Sequence, residues 1–86
     1  MADYSITFAR SARKELEALS NLLIQRIFPK IEVLIVEPRP IGCRKLQGFE
    51  NLWRIRIGDY RVIYLVDDNL RIVDVIAVRH RRQAYE

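Results

Sequence analysis

The chain opens with an alternating pattern of polar and apolar residues and then changes to a helical one. Residues Tyr4 to Phe8 alternate with a period of two and are rich in aromatic and β-branched side chains, which predicts a first strand. After Ala9 the apolar residues recur at helical spacing in two stripes that separate near Ser20 and Asn21, so we predict a helical hairpin. The apolar positions of the two stripes are Ala12, Leu16, Leu19, Leu23, Ile24, Ile27, Phe28, Ile31, Leu34 and Ile35.

Proline interrupts the second stripe and then ends it. Pro29 lies within the stripe and has no N–H to donate, so the second helix is expected to kink or divide there. The segment 37–42 contains two further prolines and a glycine, which cannot continue a helix. We therefore expect the helical region to end before this segment.

The rest of the chain is typical of strands joined by tight turns. A short strand is expected at about 44–47, and runs of Val, Ile, Leu and Tyr then alternate with turn signals at 48–51, 58–59 and 67–69. The predicted order is β-α-α-β-β-β-β, an α+β fold in which the N-terminal strand and the two-helix hairpin pack on an antiparallel β-sheet. One domain spanning 1–86 is expected, because 86 residues cannot build a second core.

The hairpin around Gly58 and Asp59 gathers basic side chains on one face. If these two residues form the turn, side chains alternate so that Arg54, Arg56 and Arg61 share a face, with the aromatic and aliphatic residues on the other. Arg56 and Arg61 then stand directly opposite each other, and like charges in that position are destabilising. An anion or acidic partner between them is therefore expected, although both side chains can also extend into water.

The C-terminal segment carries a second concentration of candidate groups. Arg79, His80 and Arg81 follow directly on an apolar, strand-like run. Histidine changes its protonation near neutral pH, so His80 is a candidate acid or base, or else a solvated surface residue. Tyr85 can stack on a base, donate a hydrogen bond or accept a proton, or it can be a packed terminal aromatic.

Composition favours a negatively charged partner. The 15 Lys and Arg residues outnumber the 11 Asp and Glu residues, which gives a net charge of +4 and a pI of about 9.6. All of the basic residues except Lys14, Lys30 and Lys45 are arginines, whose planar donor fork suits phosphate and carboxylate. A genome-wide bias toward arginine codons is the alternative explanation.

The remaining composition limits the setting of the protein. Cys43 is the only cysteine, so neither an internal disulfide nor a cysteine-based metal site is expected. The longest unbroken apolar run, Val62 to Val66, is too short to span a bilayer, and no secretory leader is expected. We therefore expect a cytoplasmic protein without a membrane partner, a metal ion or another cofactor.

Several short motifs lie along nearly the whole chain. They are Tyr4-Ser5-Ile6-Thr7-Phe8, Lys14-Glu15-Leu16, Pro38-Arg39-Pro40, Lys45-Leu46-Gln47-Gly48, the run from Arg54 to Tyr64, and His80-Arg81 with Tyr85. Together they resemble the RelE branch of the RelE/ParE toxin superfamily. The resemblance implies the toxin component of a type II toxin–antitoxin system, a ribosome-dependent mRNA endonuclease that cuts mRNA in the ribosomal A site. It also implies a cognate antitoxin that holds the toxin inactive in a hetero-oligomer.

The resemblance also implies a site. Its cleavage residues correspond to Arg61, Arg81 and Tyr85, with basic positions at Arg54 and Arg56 where lysine is common in the family. The implied reaction is attack of a ribose 2′-hydroxyl on the adjacent phosphate, with Tyr85 as the candidate base. A proton-transfer role at Arg54 or Arg56 is unexpected, because arginine does not readily lose its proton.

One assignment at the site is left open. Either His80 or Arg81 serves the leaving group, since histidine exchanges protons more readily and the family assigns the arginine. The predicted phosphate-binding residues are Arg54, Arg56 and Arg61, together with Lys45 and Arg79. Two other functions remain as alternatives, namely a ParE-like toxin that binds DNA gyrase without cutting RNA, and a non-catalytic RNA-binding module.

Overall fold

A computed structural model describes residues 3–82 as two helices and a five-stranded sheet, which confirms the α+β fold. The helical hairpin breaks at Ser20, and the helical region ends before segment 37–42, both as predicted. In chain order the elements are β1 (Ser5–Phe8), α1 (Arg10–Glu17), α2 (Asn21–Glu32), a 3₁₀ turn (Val33–Ile35), β2 (Arg44–Lys45), β3 (Leu52–Ile57), β4 (Tyr60–Asp67) and β5 (Ile72–His80).

The sheet has the strand order β1-β5-β4-β3-β2. Strands β2 to β5 form the predicted antiparallel meander, but β1 pairs with β5 in parallel, from Ser5 opposite Ile72 to Phe8 opposite Val75. The sheet is therefore mixed, and the expectation of a wholly antiparallel sheet is wrong at this pair. Tight turns determine only the pairing of consecutive strands, whereas a parallel neighbour is reached through a long connection that carries helices.

The two helices are short and one of them contains a proline. Ser20 caps α2, because its Oγ accepts a hydrogen bond of 3.3 Å from the N–H of Leu23. The expected division at Pro29 does not occur, since α2 continues through it to Glu32. Pro29 lies in the last turn of α2, and the fully buried Ile27 and Ile31 on either side of it hold the helix against the core. Neither helix in residues 3–82 has the length and apolar character to cross a membrane.

One core lies between the helices and the inner face of the sheet. Val62, Val66 and Val73 are 0 to 1% exposed, as are Ile31 and Leu34 from the helical side. Alternation along β4 and β5 delivers these valines to the same face, which is the face that the sequence pattern predicts to be apolar. The core therefore fixes which face of the sheet the helices cover and which face they leave open.

A buried tyrosine joins the core to the loop before β2. The hydroxyl of Tyr64 donates a 2.7 Å hydrogen bond to the carbonyl oxygen of Pro38. Burial raises the pKa of Tyr64 well above its ordinary value, so the hydroxyl stays protonated and keeps donating. The loop that ends the helical region is thereby held against β4.

Helix α1 covers the edge of β5 that β1 leaves unpaired. β1 accompanies β5 only as far as Val75. Beyond that point, Ser11 Oγ donates to the carbonyl oxygen of Ile76 at 3.1 Å, and Glu15 Oε1 accepts from the N–H of Val78 at 2.9 Å. Side chains of α1 thus satisfy backbone groups that an edge strand would otherwise expose.

Candidate functional site

The β3–β4 hairpin has the predicted register and supports the predicted arginine face. Arg56 lies opposite Arg61, and Ile57 lies opposite Tyr60 across the Gly58-Asp59 turn. Gly58 has φ +59°, a conformation that a two-residue hairpin turn requires and that glycine adopts without strain. We call the face that the helices do not cover the open face; it carries Arg54, Arg56, Arg61, Ile63, Leu65, Asp74 and Arg79.

Three arginines form a continuous row across the open face. Arg56 on β3 pairs with Arg61 on β4, and Arg61 pairs with Arg79 on β5. Adjacent strands lie about 4.8 Å apart, so this arginine row spans roughly 10 Å. Arg56 and Arg61 are direct cross-strand neighbours of like charge, and an anion between two such neighbours is stabilising.

Burial differs sharply along the arginine row. Arg56 is exposed, the side chain of Arg79 is 42% exposed, and Arg61 is 5% exposed. Within residues 3–82, Arg61 is the one charged residue in the buried class. A guanidinium remains protonated under all ordinary conditions, so burial holds a fixed positive charge at the centre of the row. That charge is screened less by water than a surface charge is.

A second pair of arginines extends the basic surface toward the edge of the sheet. Arg44 on β2 lies opposite Arg54 on β3, so Arg44 belongs to the open face. The sequence prediction missed Arg44, although it placed a short strand there, because the register of a two-residue edge strand has no turn signal to define it. Lys45 lies opposite Trp53, whose side chain is directed to the helical side. Alternation therefore puts Lys45 on the other face from the arginine row.

His80 is separated from the arginine row by the same alternation. It pairs with Tyr60, and the two rings meet edge to face with their centroids 5.4 Å apart. Its Nδ1 accepts a 3.3 Å hydrogen bond from the N–H of Arg82. His80 lines a shallow depression of about 550 Å³ on the helical side, together with Glu15 and Val78. The strand thus directs His80 and Arg79 to opposite faces.

Arg81 returns the chain to the hairpin turn. Its N–H donates a 2.6 Å hydrogen bond to the carbonyl oxygen of Asp59, which anchors the chain after β5 beside the end of the sheet where Arg56 and Arg61 lie. The side chain of Arg81 is exposed. Tyr85 lies outside the described residues 3–82.

Two acidic side chains near the open face have hydrogen-bond partners of their own. Glu15 accepts a 3.0 Å hydrogen bond and ion pair from Arg79 Nε. Asp74 accepts a 2.7 Å hydrogen bond from the hydroxyl of Thr7. In the part of the chain that the structure describes, no three His, Cys, Asp or Glu side chains come together as a potential metal site.

A separate ionic cluster lies at the opposite end of β4. Arg39 makes two hydrogen bonds to Asp68, at 2.8 and 3.2 Å, and Tyr4 donates a third at 2.6 Å. The hydrogen bonds from Arg39 and then from Tyr4 lower the pKa of Asp68 to about 2. Arg39 also lies over the ring of Trp53, 5.0 Å from its centre. This cluster ties the loop before β2 to the β4–β5 turn and has no part in the arginine row.

The chain is similar to known toxins over almost its whole length. Residues 6–85 match the family described as the ParE toxin of the type II toxin–antitoxin system parDE. The mRNA interferase toxin RelE of Escherichia coli strain K12 is 30% identical over 86 aligned residues, which cover 95% of this chain and 90% of that protein. These matches span the hairpin, the arginine row and the C-terminal segment together.

Solved structures have the same fold. The toxin in the archaeal RelE–RelB complex from Pyrococcus horikoshii OT3 superposes with a TM-score of 0.81 at 28% identity, covering 92% of this chain and 96% of that chain. The intact RelBE toxin–antitoxin complex of E. coli gives 0.80 at 28% identity, with 90% and 95% covered. The mixed sheet, the covering helices and the sequence match agree, and the chain belongs to the RelE/ParE toxin superfamily, in its RelE-like branch.

Proposed function

We propose that the chain is the toxin component of a type II toxin–antitoxin system and cleaves mRNA in the ribosomal A site. The arginine row carries this proposal, since Arg56, Arg61 and Arg79 form a continuous basic strip beside the anchored Arg81. A basic strip attracts a polyanion, and planar guanidinium groups match the geometry of phosphate. The similarity to the mRNA interferase toxin RelE of E. coli supports the same conclusion.

The proposed reaction needs only groups of the chain and of the RNA. A ribose 2′-oxygen attacks the adjacent phosphorus, the bond from phosphorus to the 5′-oxygen breaks, and a 2′,3′-cyclic phosphate and a 5′-hydroxyl result. Tyr85 accepts the proton of the 2′-hydroxyl, and Arg56 and Arg61 bind the non-bridging oxygens as charge builds on them. We propose that no metal ion takes part, because the guanidinium groups supply the positive charge.

The leaving oxygen is assigned to Arg81. His80 exchanges protons more readily than any arginine, but it stacks on Tyr60 on the helical side of the sheet. Arg81 is anchored through its N–H to Asp59, beside the arginine row. We propose that Arg81 stabilises the developing 5′-oxyanion by hydrogen bonding and that water supplies the proton.

The partners follow from the same proposal. The ribosome and mRNA are its substrate complex, and a cognate antitoxin is its inhibitor in a hetero-oligomer in the cytoplasm. Solved relatives include toxins bound to RelB antitoxins. Ile63, Leu65 and Ile72 leave a partly exposed apolar strip on the open face beside the arginine row, which an amphipathic antitoxin segment can cover.

Primer extension on a defined mRNA in a purified translation system tests the proposed activity. We expect cleavage only when ribosomes are present, and a loss of about 100-fold or more in Arg61→Ala and Arg81→Ala. Arg10→Ala, an exposed arginine on α1, is the matched control and should retain activity. His80→Ala should also retain most of its activity; a loss equal to that of Arg81→Ala would assign the leaving group to the histidine.

A gyrase-directed toxin is the second candidate, because the family that matches residues 6–85 is described as the ParE toxin. Growth arrest alone cannot separate the two activities, since both stop cells. A supercoiling assay with purified DNA gyrase does. Inhibition of gyrase by a folded protein that leaves mRNA intact on ribosomes would replace the proposed function with this one, and RNA binding with neither effect would favour a non-catalytic module.

A further inference from the structure

A single carboxylate joins helix α1 to the last residues of β5. Glu15 Oε1 accepts the N–H of Val78 at 2.9 Å, and Glu15 Oε2 accepts Nε–H of Arg79 at 3.0 Å. Both oxygens are therefore used, by consecutive residues of the strand. The Glu15 side chain is only 29% exposed, so water competes with these contacts less than at an open surface.

The position of Glu15 follows from the similar spacing of contact groups along helix α1 and along the edge of β5. Ser11 and Glu15 are four residues apart on α1, a rise of about 6 Å, and lie on the same side of the helix. Their backbone partners, at Ile76 and Val78, are two residues apart on β5, a distance of about 6.6 Å. The two contacts therefore have matching spacings along α1 and along the uncovered edge of β5. The residue that makes the second contact also binds a side chain of the strand.

That side chain is the third member of the arginine row. Arg79 pairs with Arg61 across the strands and comes two residues before Arg81. Glu15 binds only Nε of the guanidinium, so it orients Arg79 without occupying its two Nη groups. An acidic residue beside a basic surface weakens its attraction for RNA, so affinity for RNA does not explain why Glu15 is there.

We propose that Glu15 is a positioning residue for RNA cleavage. By holding Val78 and Arg79 together, it fixes the orientation of the Arg79 guanidinium and the direction in which the chain leaves β5 toward Arg81. This role rests on the proposed function. It acts through Arg79 and the end of the strand, and Glu15 itself does not touch the RNA.

Single-turnover cleavage on mRNA-programmed ribosomes, measured over a range of toxin concentrations, tests this role. Glu15→Gln keeps one acceptor oxygen and no charge, so it cannot accept from both Val78 and Arg79. We expect its maximal rate to fall about tenfold or more, because small displacements of reacting groups slow a reaction strongly. The half-saturating concentration should stay the same or fall, because a negative charge has left a basic surface. Glu17→Gln, an exposed glutamate on the same helix, is the matched control.

Testing Glu15→Gln in a variant that lacks Arg79 separates a positioning role from an effect on general stability. In Arg79→Ala, the additional change Glu15→Gln should have no further effect on the maximal rate. Arg79→Lys keeps the charge and loses Nε, so with Glu15 intact it should show the same loss, even if Glu15→Gln proves too unstable to assay. A rate for Glu15→Gln within twofold of Glu17→Gln, or an equal loss in both backgrounds, would overturn the role. Absence of cleavage by the wild type would instead overturn the proposed function and this role with it.

Discussion

At the scale of single residues, location on the sheet separates arginines that look alike in the sequence. Arg56 and Arg61 are direct cross-strand partners, yet the first is exposed and the second is 5% exposed. An exposed basic side chain can adapt its position to a phosphate, and lysine can take its place. A buried basic side chain is held by its surroundings. A residue that replaces it must reproduce both its charge and its shape.

We therefore expect lysine to substitute for arginine unequally along the row. Arg61→Lys should lower the cleavage rate on ribosomes by about tenfold or more, since lysine has no planar fork for the phosphate oxygens. Arg56→Lys should change the rate by less than about threefold, as expected for a solvated cation. Equal losses in the two variants, measured by primer extension on folded proteins, would mean that burial does not distinguish their roles.

Arg44 and Lys45 provide a test of which face binds RNA. They are adjacent and both exposed, but alternation directs them to opposite faces of the sheet. Each phosphate contact to single-stranded RNA contributes about 0.7 to the slope of log affinity against log salt. Arg44→Ala should reduce that slope by about 0.7 in fluorescence anisotropy with a single-stranded RNA, and Lys45→Ala should leave it unchanged. The reverse result would place the RNA on the helical side.

At the scale of elements, short contacts between distant segments hold the strands that carry the site. Asp68 in the β4–β5 turn accepts from Arg39 in the loop before β2 and from Tyr4 before β1. Gly58 forms the turn between β3 and β4, and the guanidinium of Arg26 on α2 lies close above it. Both features keep the ends of β4 in place, one at each end.

The Asp68 cluster predicts a pH-dependent contribution to stability. The pKa of Asp68 is lowered from 3.8 to about 2, chiefly by its hydrogen bonds with Arg39. A lowered carboxyl pKa stabilises the folded state above the ordinary value, and this stabilisation is lost as pH falls from 3.8 toward 2. Asp68→Asn should lower the urea midpoint at pH 7, with the difference disappearing near pH 2. Glu50→Gln, an exposed control, should show no such difference.

The Gly58 turn predicts a backbone effect that side-chain chemistry cannot mimic. Gly58 has φ +59°, and an added Cβ would lie 3.3 Å from Nη2 of Arg26. Gly58→Ala should destabilise the protein by about 1–2 kcal/mol in urea unfolding, because alanine is strained in this region. Gly58 and not Asp59 has a positive φ, as in a type II′ turn, whose first position favours glycine, so Gly58→Asn should be about as destabilising as Gly58→Ala. Wild-type stability in either variant would show that this turn position tolerates a side chain.

At the scale of the whole molecule, one core connects the helices to every strand that carries the site. Leu34 in the 3₁₀ turn is fully buried, whereas the neighbouring Val33 is 48% exposed. Because a single core of this size unfolds cooperatively, damage far from the arginine row lowers the amount of folded toxin. Loss of toxicity in cells therefore indicates a site residue only when the amount of folded protein is measured as well.

Leu34→Ala and Val33→Ala form a matched pair for this effect. We expect Leu34→Ala to lower the free energy of unfolding by about 2–5 kcal/mol, and Val33→Ala to change it by less than about 0.5 kcal/mol. The fraction of Leu34→Ala that remains folded should cleave mRNA at the wild-type rate. A reduced rate per folded molecule, with titrated folded protein, would show that the core also sets the geometry of the site.

The features that sequence reasoning predicted are those specified by neighbouring residues. The period of two and the Gly58-Asp59 turn were enough for the hairpin register, and that register brings Arg56 and Arg61 together. Segment 37–42 correctly ended the helical region. Pro29 does not divide α2, because the buried Ile27 and Ile31 on either side of it hold the helix against the core. The site roles assigned to Arg81 and Tyr85 remain predictions.

Only the tertiary structure decided which residues at the end of β5 share a face with the hairpin arginines. A β-bulge shifts the β4–β5 register by one residue, so that Ile63 pairs with Ala77 while Tyr64 pairs with Val75. Without the shift, the register from the β4–β5 turn would bring His80 and not Arg79 to the open face. No turn residue signals such a bulge. Local sequence patterns also did not predict the position of β1 beside β5 or the Glu15–Arg79 contact. Each of these joins segments more than 60 residues apart. Local sequence thus determined the strands, turns and charge of this protein, whereas long-range packing determined which charges meet.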